Sequence, residues 1–157
     1  MKIVLGSDKS GYPLRTALEK HLTERGFEIE VIGPQNDEEA VPIYSVAPKA
    51  ARAVQCGESD LGILICGTGM GMAQVANKFK GIRAAAVESV YAAKMCRVIN
   101  DSNILCMGGW MIAETLGKEM ADAFLDAAFV TGVEDWRVEW LQNAKIEFGK
   151  LEEKIYG

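Results

Sequence analysis

Histidine is nearly absent: His21 is the only one in 157 residues. A metal centre built on paired imidazoles, or a Ser-His or Cys-His nucleophile, would have to be assembled around that one ring. It stands between Lys20 and Leu22 in a helical pattern and reads as an ordinary helix residue. Paired cysteines are lacking too. Cys56, Cys66, Cys96 and Cys106 form no Cys-x-x-Cys unit, so reduced thiols are expected rather than a disulfide scaffold. Basic charge does not dominate: 17 Lys and Arg face 22 Asp and Glu, a net charge of -5, which argues against nucleic acid as a partner. No run of eighteen apolar residues occurs, and Met1-Lys2 leads into Ile3-Val4-Leu5-Gly6 without a long apolar leader. No membrane partner is expected, and a soluble, cytoplasmic protein is predicted.

What is present is ordinary globular composition, 49% hydrophobic and 25% charged, enough to bury one core. No repeat, linker or low-complexity tract divides the chain, so residues 1–157 read as a single domain. Lys2 to Gly6 is a short apolar strand, and Leu14, Leu18 and Leu22 then recur at helical spacing until Gly26. Phe27 to Ile32 alternates as a strand, Gly33 to Asp37 has turn chemistry, and Tyr44 to Val54 follows as a helix. Leu61 to Ile65 is continuously apolar, as in a parallel strand covered on both faces, and Met72 to Lys78 looks helical. Ile82 to Val87 and Ile104 to Met107 add two strands, with helices over Val90 to Val98 and Ile112 to Phe124.

This alternation predicts an α/β, three-layer, Rossmann-like fold: a five-stranded parallel sheet with helices on both faces. Ligands should then bind beyond the carboxyl ends of the strands. The amphipathic stretch Trp136 to Tyr156 is more helix than such a sheet needs. This extra C-terminal helix, about residues 135–156, reads as an arm that packs on a partner subunit, ahead of the alternative of a cover within its own chain.

The strongest local signal is Cys66-Gly67-Thr68-Gly69-Met70-Gly71 at the end of the third strand. Glycines at alternate positions let backbone N–H groups converge where a helix opens, which makes a site for an anion or a developing enediolate oxygen. A thiol in such a setting is favoured as thiolate, so Cys66 is a candidate base or nucleophile, with the Thr68 hydroxyl expected on its sulfur. The plainer reading of Cys66 is a small apolar residue closing a strand; Cys56, Cys96 and Cys106 lack the glycine setting and read as structural, in the manner of buried free cysteine. Asp8, in Gly6-Ser7-Asp8-Lys9-Ser10-Gly11, closes the first strand at the same edge and doubles as a candidate N-cap. Lys9 could meet a phosphate or simply be solvated. A dinucleotide fingerprint fails, because Met72 stands where the third glycine is required and the loop follows the third strand; a Walker lysine is missing as well.

Together, Gly6-Ser7-Asp8, Ile65 to Gly71, Ala76-Asn77-Lys78-Phe79-Lys80-Gly81-Ile82-Arg83-Ala84 and Asn100-Asp101-Ser102-Asn103 resemble the type B ribose-5-phosphate isomerase and galactose-6-phosphate isomerase family. The likeness spans nearly the whole chain. It implies an aldose-ketose isomerase, without metal or other cofactor, in which Cys66 moves a proton between C1 and C2 through a cis-enediolate. It further implies that Gly67, Gly69 and Gly71 stabilise the enediolate, that Asp8 shuttles protons between its oxygens and that Thr68 supports the cysteine. Lys9, Tyr44, Asn100 and Arg137 fall at substrate-binding positions, with Asn100 supplied by the partner of a homodimer or homotetramer.

The departures from that pattern are specific. Lys9 and Ile99 stand where the family carries histidines, the second credited with opening the sugar ring, and isoleucine cannot transfer a proton. Trp110 and Val133 occupy two of the three phosphate-arginine positions, leaving Arg137. Ala40 replaces an acidic residue ahead of Tyr44. An acyclic tetrose 4-phosphate, as in erythrose-4-phosphate/erythrulose-4-phosphate isomerases, would not need the missing ring opener. The expected substrate is therefore a small sugar phosphate of that kind, or one with a different anionic group. The rivals are ribose 5-phosphate or galactose 6-phosphate isomerisation, a non-catalytic sugar-phosphate-binding subunit, and redox sensing, for which no resolving thiol is evident.

Overall fold

A computed structural model describes residues 1–157. Strands and helices alternate as β1 (Lys2–Ser7), α1 (Tyr12–Glu24), β2 (Glu28–Ile32), α2 (Ile43–Gln55), β3 (Leu61–Cys66) and α3 (Met70–Ala76). They continue as β4 (Ala84–Ala86), α4 (Val90–Asn100), β5 (Ile104–Gly108), α5 (Glu114–Leu125) and α6 (Asp135–Tyr156). All pairings are parallel, in the order β2-β1-β3-β5-β4. The chain winds outward from β1 to β2, crosses back to β3, passes to the edge as β4, and returns to insert β5 beside β3. Winding reverses between β1 and β3, so the loops leaving these neighbouring strands diverge and open a crevice at their carboxyl ends.

β3 lies at the centre and every residue of it is buried, which is why it carries no polar side chain. Its side chains alternate between two cores. Leu61, Ile63 and Ile65 join the layer under α1, α4 and α5, while Leu64 and Cys66 join the layer under α2 and α3. Each fully buried Leu or Ile stabilises the fold by about 1.5–3 kcal/mol, so the loops at the strand ends rest on a firm floor.

The elements match those expected, with shifted ends. β4 keeps only Ala84–Ala86 of the Ile82 to Val87 run, because Arg83 turns aside to bond Asn103 and Asp101 instead of extending the strand. α3 begins at Met70, two residues earlier than Met72, directly from Gly69. α6 buries only Leu141. Its C-terminal half is tied down by polar contacts, Glu152 accepting from the Gly81 amide at 2.6 Å and Lys80 pairing with Glu153 at 2.7 Å. Trp136, Trp140, Phe148, Leu151 and Ile155 stay exposed and fall at helical spacings of four, eight, three and four residues, so they lie along one side of the helix as an apolar stripe. No helix is long and apolar enough to cross a membrane.

Candidate active site

Three loops meet at the carboxyl edge of the sheet. The first leaves β3. Cys66 is 6% exposed, and its sulfur accepts the Gly69 amide at 3.2 Å. That turn requires Gly69 to adopt φ +79°, and a Cβ there would stand 2.8 Å from the Met107 carbonyl carbon, so only glycine fits. The Thr68 hydroxyl was expected on the sulfur; instead it accepts the Met70 amide at 3.4 Å, at the opening of α3. The N-cap of α3 is Gly69, and the donor on the sulfur is the Gly69 amide in place of the threonine hydroxyl. Gly71 packs in the first turn of α3 against Ile43, the neighbour of Tyr44 at the start of α2. Tyr44 itself is exposed.

The second loop leaves β1. The Asp8 amide donates to the Ile65 carbonyl at 3.2 Å, continuing the β1–β3 ladder, and its carboxylate accepts the Gly11 amide at 2.9 Å. The N-cap of α1 is Gly11, so Asp8 braces the loop one turn ahead of the helix rather than capping it. Lys9 is exposed and free of ion pairs.

The third loop leaves β5, whose last residue, Gly108, is in register with Cys66. The Gly109 amide donates to the Cys66 carbonyl at 2.7 Å and the Trp110 amide to the Gly67 carbonyl at 3.1 Å. These bonds lay the Trp110 indole flat on Gly67, where a Cβ would meet three ring atoms at 2.8 Å. The other face of the indole is open, Trp110 being 74% exposed. Sequence reasoning marked Trp110 only as a missing arginine. Its place over Gly67 follows from the pairing of β5 with β3, which no local pattern reveals.

Asp8, Lys9, Tyr44, Cys66, Gly67, Thr68, Gly69 and Gly71 therefore share one edge. Asn100 and Arg137 do not. Asn100 ends α4 and leads into the amino end of β5, about 13 Å of strand away from the level of Cys66. A cavity of about 370 Å³ opens there instead, lined by Ile99, Asn100, Trp140, Lys145 and Phe148 among others. Asp101, beside it, takes φ 50° and is 7% exposed. Its carboxylate binds Arg83 at 3.0 Å, Arg97 at 2.6 Å and Lys145 at 2.5 Å, fastening α6 to the end of α4. Arg137, in the first turn of α6, makes no ion pair.

The other thiols divide. Cys96 and Cys106 are buried, and burial pushes both thiols up from the ordinary cysteine value, Cys106 the further. Cys56, expected to be a structural residue of the buried type, is exposed at the C-terminus of α2, where the chain turns out through Gly57. His21 contacts Asp122 at 2.8 Å on the surface between α1 and α5. No three His, Cys, Asp or Glu side chains converge to hold a metal ion.

Residues 3–141 match the family model described as Ribose/Galactose Isomerase. The chain belongs to that family. It is 51% identical over 156 residues, 99% of this chain and 98% of the relative, to the 4-deoxy-4-sulfo-D-erythrose isomerase of Clostridium sp. strain MSTE9. It is 36% identical over 140 residues to the D-erythrulose-4-phosphate isomerase of Pectobacterium atrosepticum, covering 88% of this chain and 91% of that one. Among solved structures it resembles ribose-5-phosphate isomerase B of Clostridium thermocellum, with a TM-score of 0.85, 39% identity and 99% coverage of both chains. Membership of the ribose/galactose isomerase family, with relatives named throughout as isomerases of small anionic sugars, makes this chain an aldose-ketose isomerase.

Proposed function

We propose that the chain interconverts an acyclic four-carbon aldose and ketose bearing an anion on C4, with Cys66 as the base. The observation that carries this is the Cys66 sulfur held by the Gly69 amide at a strand end, with Asp8 presented by the adjacent strand. In the forward direction the Cys66 thiolate takes the proton from C2 of the aldose. The electron pair moves into the C1–C2 bond and onto the carbonyl oxygen, giving a cis-enediolate. Donors of the Gly67 to Gly71 turn stabilise the oxygen on which charge develops. Asp8 carries the hydroxyl proton from O2 to O1, and the Cys66 thiol returns its proton to C1, which leaves the ketose and restores the thiolate. Thr68 and Gly69 hold the turn in shape, while Lys9 and Tyr44 line the entrance for the substrate.

The chain length of the sugar follows from Ile99, which has no proton to give a closed ring. A tetrose whose C4 oxygen is esterified, or replaced by a C–S bond, forms no five-membered ring and needs no opener. Asn100 and Arg137 reach such a site only from another subunit, so the active form is a homodimer or a higher oligomer closed on the apolar stripe of α6. Turnover of four-, five- and six-carbon sugar phosphates and of the four-carbon sulfonate tests the reading. The four-carbon substrates are expected to be fastest; ribose 5-phosphate outrunning them would overturn it.

A further inference from the structure

We propose that Trp110 is a specificity-determining residue that tunes the site to a terminal sulfonate, a single negative charge, over a phosphate dianion. The inference rests on the four-carbon reading above and names the head group.

β1, β3 and β5 lie side by side, about 4.8 Å apart. A four-carbon chain whose C1 and C2 lie at Cys66 is about as long as one strand spacing, so its C4 group comes within reach of a loop that leaves a flanking strand, residues 8–11 from β1 or 109–113 from β5. Gly109 packs directly on the Ser10 carbonyl and Gly11, which closes these two loops on each other at that level, and the indole of Trp110 covers Gly67 with its other face open. The three loops contribute one cation, Lys9, beside one anion, Asp8. On the β5 side the loop presents an uncharged aromatic, Trp110, with one N–H donor.

A phosphate monoester carries between about -1.5 and -2 at neutral pH, with its second pKa near 6. Beside the open face of an indole that second charge gains no cationic partner, and the ring displaces water from one side of it, which disfavours the dianion. A sulfonate bears one charge at every working pH and exposes the same tetrahedral face of three oxygens. Lys9, joined by Arg137 if the partner supplies it, can match one charge, and the indole N–H and ring edge suit its weaker hydration. The name of the 51% identical relative is that of a four-carbon sulfonate sugar.

The test compares kcat/KM for 4-deoxy-4-sulfo-erythrose and erythrose 4-phosphate in the full-length wild type and in Trp110→Arg, with Trp110→Lys as a second cationic variant. The wild type should prefer the sulfonate near pH 8. Its phosphate-to-sulfonate ratio should rise as pH falls through about 6, where the phosphate becomes a monoanion. The arginine should raise that ratio at pH 8 by roughly ten- to hundredfold, the range for one added charge-assisted hydrogen bond, and remove the rise at low pH. A wild type that prefers the phosphate at pH 8, or whose ratio ignores pH, overturns the proposal without any variant having to fold. Folded cationic variants with an unchanged ratio overturn it as well, while leaving the four-carbon reading standing. A wild type that isomerises neither sugar removes that reading, and the proposal with it.

Discussion

The Gly69 amide donates to the Cys66 sulfur across three residues of backbone. The bond orients the sulfur and supplies a partial positive charge to it, and it exists because Gly69 tolerates a left-handed conformation. The proposed base and its turn are thus one unit. Replacing Cys66 by Ala or Ser should lower turnover by about a thousandfold, as for loss of a general base, and stop proton exchange at C2 in deuterated water. Undiminished exchange in a folded variant would rule out the sulfur as base.

Gly69→Ala is expected to cost more than a methyl group normally does. The left-handed backbone adds about 1–2 kcal/mol of strain, and the new Cβ meets the Met107 backbone. Urea unfolding should show the loss of stability. Turnover measured below the unfolding range should fall as well, because the sulfur loses its donor.

The proposed division of the site between subunits predicts complementation. Cys66→Ala and Asn100→Ala chains, each inactive alone, should regain about a quarter of wild-type activity when mixed equally and allowed to exchange as dimers. Half the dimers are then mixed, each with one intact site. Absence of any recovery after demonstrated exchange would show that Asn100 acts within its own chain or not at all.

Thiol chemistry should sort by burial. With iodoacetamide at about pH 8, exposed Cys56 should react first, while Cys96 and Cys106 stay unmodified because burial keeps both protonated. Cys66 labelling should be slowed by saturating substrate. Peptide mass mapping over time checks each site, and early modification of Cys106 would contradict its place in the core.

Asp101→Asn removes the charge that gathers Arg83, Arg97 and Lys145 while keeping a residue that accepts φ 50°. Three cations left facing one another should cost about 1–3 kcal/mol, read as a lowered urea midpoint. No change would mean that solvent screens the cluster completely.

Much of this was legible in the sequence, for definite reasons. The β3 run from Leu61 to Cys66 is apolar on both faces because helices cover both, and that pattern is local. The glycines after it signal a turn at the strand end, and Cys66 with them. Contacts between distant segments were not legible. Trp110 reaches Gly67 only because β5 inserts between β3 and β4, an order set by packing. Thr68 accepts the Met70 amide at the opening of α3 and does not meet the sulfur, and α3 itself starts earlier than its apolar spacing suggests. Cys56 looked like its buried counterparts until the turn at Gly57 carried it outward.

The strand order has a further consequence. The sulfur sits on the middle strand, whereas the aromatic wall hangs from one neighbour and the lysine from the other. On the proposed roles, bond-breaking and head-group choice are housed in separate modules. Mutations that redraw the flanking loops should then retarget the enzyme to a new anion, letting a lineage drift among acidic sugars while its reactive centre stays untouched.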